Sequence, residues 1–349
     1  MRRGWRHIAV LQDFSCTSAV FTSCALGLLL SFPVFCAAEN WVPQKAIHIF
    51  VPSGKGDATD QLVRVLAEEL EGALNQKIII KNKTGRAGSL ATEKVLQAPA
   101  DGYTWLAGAA SSLGTYQLRG KLDTKIQDWH VYLAASQALV VSANPDSKYL
   151  TFDDLMADMK SGGEDLTVGT DGYTSSSHVA FEAIRQQVGG AYRLVSHSKG
   201  KRAVRSTVSG ETLVTTQFIS EQKGLLGKKR LRALAVVSAD PVEIDGIGVI
   251  DPVNKWINNF DVSPVQLGLF LPKSVPPDVI NTLNDICKTR IANSNAFSEY
   301  ASSSGAEINI ASGPEAQARV WPSIQDTAWI FYDSGMVKIS PDALGIPRK

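Results

Sequence analysis

Two short stretches of this 349-residue chain bring together residue types that can do chemistry. In "GTDGYTSSSHVAFE", Thr174, Ser175, Ser176 and Ser177 run directly into His178, and serine beside histidine is the raw material of acyl transfer. In "VPSGKGDATDQL", Ser53, Gly54 and Gly56 form a glycine-punctuated loop between an apolar strand end and a helix-period run. A loop of that kind can hold a phosphate or carboxylate against a helix N-terminus. Yet it carries an acid, Asp57, in the middle of the anion site.

Neither stretch completes a catalytic motif. Ser177 and His178 are chain neighbours rather than opposed partners, and no G-x-S-x-G elbow surrounds the serines. The Gly54-Lys55 pair lacks the upstream glycine and the following Ser or Thr of a nucleotide P-loop. A third polar turn, "GAASSLGTY", adds Ser111 and Ser112. Three donor-rich loops with no nucleophile paired to a base point to binding without chemistry. For Asp57 two readings stand side by side. As an N-cap, its carboxylate accepts the N–H of Thr59 or Asp60, with Asp60 placed as in a capping box. As a ligand-selecting group, it disfavours anionic ligands and favours amine-bearing or neutral ones.

The elements that must position these loops alternate along the chain. "AIHIFVP", "KIIIKN" and "TWLAGAA" read as strands, separated by a helix with Leu62, Leu66, Leu70 and Leu74 on one face and by "LATEKVLQA". This βαβαβ order implies a parallel sheet with helices packed against it, an α/β class. The middle repeats the theme with "ALVVSANP", a helix capped by Thr151 or Asp153, "LTVGT", "TLVTTQF" and "RLRALAVVS". Past residue 263 come the strand "VQLGLFLP" and two helices, the second starting near Ser312 with Pro314 in its first turn.

The first 38 residues read as a secretory signal peptide. Arg2, Arg3 and Arg6 precede an apolar run that ends in Cys36-Ala37-Ala38, so cleavage after Ala38 is expected, leaving Glu39 first. Without that leader the chain keeps 32 basic and 33 acidic residues, a balance that argues against nucleic-acid binding. Only Cys287 remains of the four cysteines, so neither an internal disulfide nor a cysteine metal site is available. No metal or cofactor is expected. The basic runs "SKGKRAVR" and "GKKRLR" read as solvated surface, with a docking face for a membrane partner as the alternative.

From Trp41 to Met336 the chain resembles the periplasmic solute receptors of tripartite tricarboxylate transporters, the Bug family. "WVPQKAIHIFVPSGKGDATD" is similar to the family's opening strand and P-x-x-P-G-G-x-x-D loop. "IIIKNKTGRAGSLATEKVLQAPADGYTWLAGA" resembles its N-R-x-G-A-G-G segment and A-x-x-D-G-Y-T turn. "GYTSSSHVAFE", "KKRLRALAV" and "GLFLPKSVPPDVINTLN" follow in the family's order. The resemblance implies a two-lobed periplasmic-binding-protein type II (Venus-flytrap) fold, with mixed sheets flanked by helices, that closes on a small carboxylate.

By position, the resemblance implies ligand contacts from Ser53, Gly54, Gly56, Asp57, Thr59 and Asp60. Ser111 and Ser112 follow in the first lobe, and Thr174, Ser175, Ser176, Ser177 and His178 in the second. The expected lobes are residues 39–142 with 264–349, and residues 143–263. The chain departs from the family pattern at Ser53, Lys55, Asp57, Ser198, Lys201, Thr215 and Thr216. The expected function is a monomeric, non-enzymatic periplasmic receptor. It delivers a small organic acid or amino acid to the membrane subunits of such a transporter. A secreted hydrolase using Ser176 or Ser177 with His178, and a receptor domain signalling to a membrane sensor, stand as alternatives.

Overall fold

Ile47, Ile49 and Val51 are fully buried, alternating along the first strand, β1 (Ile47–Val51). The computed structural model of the chain describes residues 40–349; the leader, Cys36 and the cleavage after Ala38 lie outside the described residues. Helix α1 (Ala58–Leu74) buries Leu62, Leu66, Leu70 and Leu74 together, and its left-handed Asn75 ends it before β2 (Ile78–Asn82). Then come α2 (Ser89–Leu96), β3 (Thr104–Ala109) and the short α3 (Ala110–Gly114).

β4 (Trp129–Gln137) runs into β5 (Leu139–Ala143) with Ala138 alone between them. α4 (Phe152–Lys160) is capped by Thr151, whose hydroxyl accepts the Asp154 N–H while the Asp154 carboxylate returns to Thr151. Next are β6 (Thr167–Thr170), α5 (Ser176–Val188), β7 (Arg193–Ser196), α6 (Gly200–Val208) and β8 (Val214–Phe218). α7 (Ile219–Leu226), β9 (Arg232–Val237) and a hairpin of β10 (Val242–Ile244) and β11 (Gly248–Ile250) follow. The chain closes with β12 (Val265–Pro272), α8 (Pro277–Thr289), α9 (Asn295–Ser304), β13 (Ala306–Ser312) and α10 (Gly313–Asp333).

The strands form two large sheets, one in each lobe. The first has the order β13-β4-β12-β3-β1-β2 and the second β7-β6-β8-β5-β9. Each is mixed rather than wholly parallel. β1 pairs parallel with β2 and β3, whereas β12 runs antiparallel to both β3 and β4. In the second sheet β6 is parallel to β7 and β8, and β5 is antiparallel to β8 and β9. The chain changes sheet at Ala138, four residues ahead of the expected crossover at 142, because β5 already pairs with β8 and β9 from Leu139. It returns between β9 and β12. In parallel halves like these, strand carboxyl ends and helix starts share one edge, and ligands bind there.

Candidate ligand-binding site

The carboxyl edges of the two sheets face a cavity of about 400 Å3. The first sheet supplies Pro52 and Ser53 after β1, Leu106 to Ala109 of β3, and Leu267 and Phe270 of β12. The second supplies Asp171 to Ser176, Ser196 to Ser198, and Phe218 of β8. Starts of four helices reach the wall, through Thr59 of α1, Gly88 before α2, Ala109 before α3, and Ser175 before α5. Each such start presents backbone N–H groups without intrahelical partners.

Of the thirteen expected contact residues, Ser53, Thr59, Ser112, Thr174, Ser175 and Ser176 line this cavity. Gly54, Gly56, Asp57, Asp60, Ser177 and His178 do not line it, and Ser111 faces a smaller pocket that also touches Ser176.

Asp60 is fully buried and works as a clamp. Its carboxylate accepts the Gly56 N–H at 2.7 Å, two Arg64 bonds at 2.9 Å and the Asn82 amide at 2.9 Å. Burial acts to raise its pKa, but Arg64, the Gly56 N–H and Asn82 outweigh it and hold Asp60 below the usual carboxylate range.

Asp57 occupies the N-cap position with extended backbone, but its carboxylate caps neither Thr59 nor Asp60. It turns back to accept the Gly54 N–H at 2.8 Å. The first free N–H of α1, at Ala58, donates instead to Glu221 Oε1 of α7 in the other lobe, at 3.1 Å. Glu221 is wedged so tightly against Gly200, the first residue of α6, that a Cβ there would overlap its carboxyl. Burial, with Asp171 and Asp57 close by, raises the Glu221 pKa well above its ordinary value. Burial also raises that of Asp57, opposed by the Gly54 N–H and reinforced by Asp171. The anion position at the start of α1 is thus filled by the protein's own acids.

The serine–histidine stretch is built as a scaffold. Ser175 caps α5 by accepting the His178 N–H at 3.2 Å. The His178 ring accepts the Thr174 N–H at Nδ1 (3.2 Å) and meets the Tyr192 hydroxyl at Nε2 (2.9 Å). With Nδ1 accepting, the tautomer protonated at Nε2 follows, and Tyr192 donates its own proton to Glu182 at 3.0 Å. Burial holds the His178 pKa below its ordinary value, so the ring is neutral. Ser177 donates to the Asp171 carboxylate in a short bond.

Several wall residues are not legible in the sequence. The segment Thr84 to Gly88 with Thr92 borders the cavity, and Gly85, Arg86, Ala87 and Gly88 all have positive φ. Among the described residues six non-glycines have positive φ, and three of them, Arg86, Ala87 and Thr174, belong to these cavity loops; such strain concentrates at functional sites. At Gly88 a Cβ would stand 2.8 Å from the Tyr116 hydroxyl and 3.2 Å from Pro52, so only glycine lets the backbone lie against the cavity floor. Arg119 spans the lobes, donating to the Ser112 carbonyl at 2.8 Å and the Thr174 hydroxyl at 3.2 Å while lying over the Tyr116 ring.

Comparison with known proteins agrees with this architecture. BugT of Bordetella pertussis is 24% identical over 298 residues, covering 84% of this chain and 90% of BugT. The structure of the periplasmic binding protein BugD superposes with a TM-score of 0.75 at 21% identity, covering 85% of this chain and 100% of that one. An R. palustris protein solved with adipate gives 0.75 at 22% identity, covering 84% and 98%. These likenesses show the two-lobed fold of periplasmic binding proteins. Residues 62–326, well over half of the chain, match the tripartite tricarboxylate transporter family receptor model, and the chain therefore belongs to that receptor family.

Proposed function

We propose that this protein is an exported periplasmic receptor. It holds one small organic acid or amino acid in the cavity between its two sheets and hands it to the membrane subunits of a tripartite tricarboxylate-type transporter. The observation that carries this is the cavity itself. The starts of α2, α3 and α5 and a ring of hydroxyls converge there from both lobes, a chemistry suited to gripping a carboxylate. Family membership and the adipate in a relative of the same fold support that ligand class.

The lobes divide at Ala138, where the chain changes sheet, and near residue 263, giving residues 39–137 with 264–349, and residues 139–263. They hinge at the two connections between sheets and close on the ligand as a monomer. Cleavage after Ala38 releases the mature chain. A non-catalytic role is supported by His178, whose two ring nitrogens are engaged by Thr174 and Tyr192 rather than by a serine hydroxyl.

Native mass spectrometry of protein released gently from the periplasm tests the reading. The expected spectrum is the 39–349 chain carrying one small acid. A ligand-free chain that hydrolyses esters through Ser176 and His178 would replace the receptor reading with the hydrolase.

A further inference from the structure

We propose that the cavity selects a ligand bearing an ammonium group alongside a carboxylate, with Asp171 as the residue that reads the positive charge. The assignment rests on the receptor reading above and narrows its ligand class. Three independent features of the cavity lead to it.

Among the described residues no lysine or arginine lines the cavity, whereas Asp171 does. The other wall residue able to carry charge near neutrality, His197, is kept neutral by burial, which lowers its pKa. A dicarboxylate would bring two negative charges against a lining that carries an acid and no cation, the Arg119 guanidinium behind it being spent on the Ser112 carbonyl and the Thr174 hydroxyl. An amino acid brings one of each sign.

The helix start best placed to offset a second ligand anion is already used. The Ala58 N–H is bound by Glu221, and Asp57 lies on the same loop. Burial and the nearby Asp171 raise the pKa of both acids, which favours their neutral forms and leaves Asp171 as the acid on the cavity wall.

The wall still offers unspent polar atoms for one carboxylate. Thr92 is fully buried, and its Oγ1 beside the Tyr116 hydroxyl lacks a partner of good geometry. Ser53 Oγ and His197 Nε2 are likewise unpartnered and line the cavity. A buried polar atom without a partner is costly unless a ligand or water completes it. Ser53 and Thr92 belong to the first lobe and Asp171 to the second. The carboxylate and the ammonium would therefore bridge the lobes, each reading one of them.

Calorimetric titration with matched pairs tests this: adipate against 6-aminohexanoate, and glutarate against glutamate. The proteins are the wild type, Asp171→Asn and Asp171→Glu, each checked for an unchanged melting temperature. The expected result is that in at least one pair the ammonium-bearing member binds at least tenfold more tightly. Asp171→Asn should cut that ratio at least fivefold, and Asp171→Glu should keep it. A dicarboxylate that binds more tightly in both pairs, or a ratio that Asp171→Asn leaves unmoved, overturns the assignment and leaves the receptor reading standing. Binding of none of the four compounds also overturns it. The receptor reading falls only if the purified protein carries no ligand either.

Discussion

Glu221 of the second lobe accepts the backbone N–H of Ala58, the first residue of the helix that opens the first lobe, at 3.1 Å. The two residues are 163 positions apart. Their contact ties the lobes together across the cleft and occupies a helix start that would otherwise attract a ligand anion.

Replacing Glu221 by glutamine should alter stability in a pH-dependent way. The native state holds a proton on Glu221 over a range in which the unfolded chain has lost it. Native protein then binds more protons, so stability falls as pH rises from the ordinary carboxyl range towards the raised value. Glu221→Gln should be more stable than wild type at about pH 8, with a flatter profile down to about pH 5. Asp57, shifted in the same direction, should leave some slope behind. Urea melts across that range check this. Identical slopes in both proteins would remove Glu221 as the source.

Asp60→Ala should destabilise the first lobe by about 3 kcal/mol, because it leaves the Gly56 N–H, Arg64 and Asn82 without their shared acceptor. Since the Asp60 pKa is lowered on folding, its contribution is present above the unfolded carboxyl pKa and lost as pH falls through the folded value. Denaturant titration at neutral and acid pH should show the variant and wild type converging in acid. A constant gap would show that packing, not the ionised carboxylate, makes the difference.

His178→Ala should loosen the Thr174 turn without abolishing any turnover, at a cost of about 1–2 kcal/mol in stability. Calorimetry gives the stability change, and assays with model esters give the other half. Ester hydrolysis in wild type that disappears in this variant would contradict the scaffold role.

Arg119→Ala should weaken ligand retention, because the guanidinium joins the Ser112 carbonyl of one lobe to the Thr174 hydroxyl of the other beside the cavity. The expected effect is about a tenfold faster ligand dissociation, equivalent to about 1.4 kcal/mol, with a smaller change in association. Stopped-flow fluorescence separates the two rates. An unchanged dissociation rate would make Arg119 a packing residue only.

Local pattern carries much of the fold. Leu62, Leu66, Leu70 and Leu74 recur at helical spacing, and all four are buried in α1. The β4–β5 junction is hidden, because with only Ala138 between Gln137 and Leu139 no turn residue marks a strand changing sheets. β13 escapes detection for a related reason: it lies at a sheet edge and shows no clean alternation of buried and exposed residues. In the site, the hydroxyl-rich loops at Ser53, Ser112 and Thr174 are legible from side chains. The Thr84–Gly88 segment is not, since backbone conformation rather than side-chain type brings it to the cavity. The role of Asp57 depends on Glu221, a distant partner that local reading cannot supply.

A small carboxylate held in the cavity between the two sheets is what the receptor role requires above all. Calorimetry with the ligand recovered from the purified protein, on wild type and on Ser176→Trp, tests it most directly, because Ser176 lines that cavity and a tryptophan there should crowd it. Saturable one-to-one binding in the wild type, with at least a hundredfold loss in a folded Ser176→Trp variant, is the outcome that fits. Equal affinity in the two proteins would place the ligand elsewhere and contradict the account.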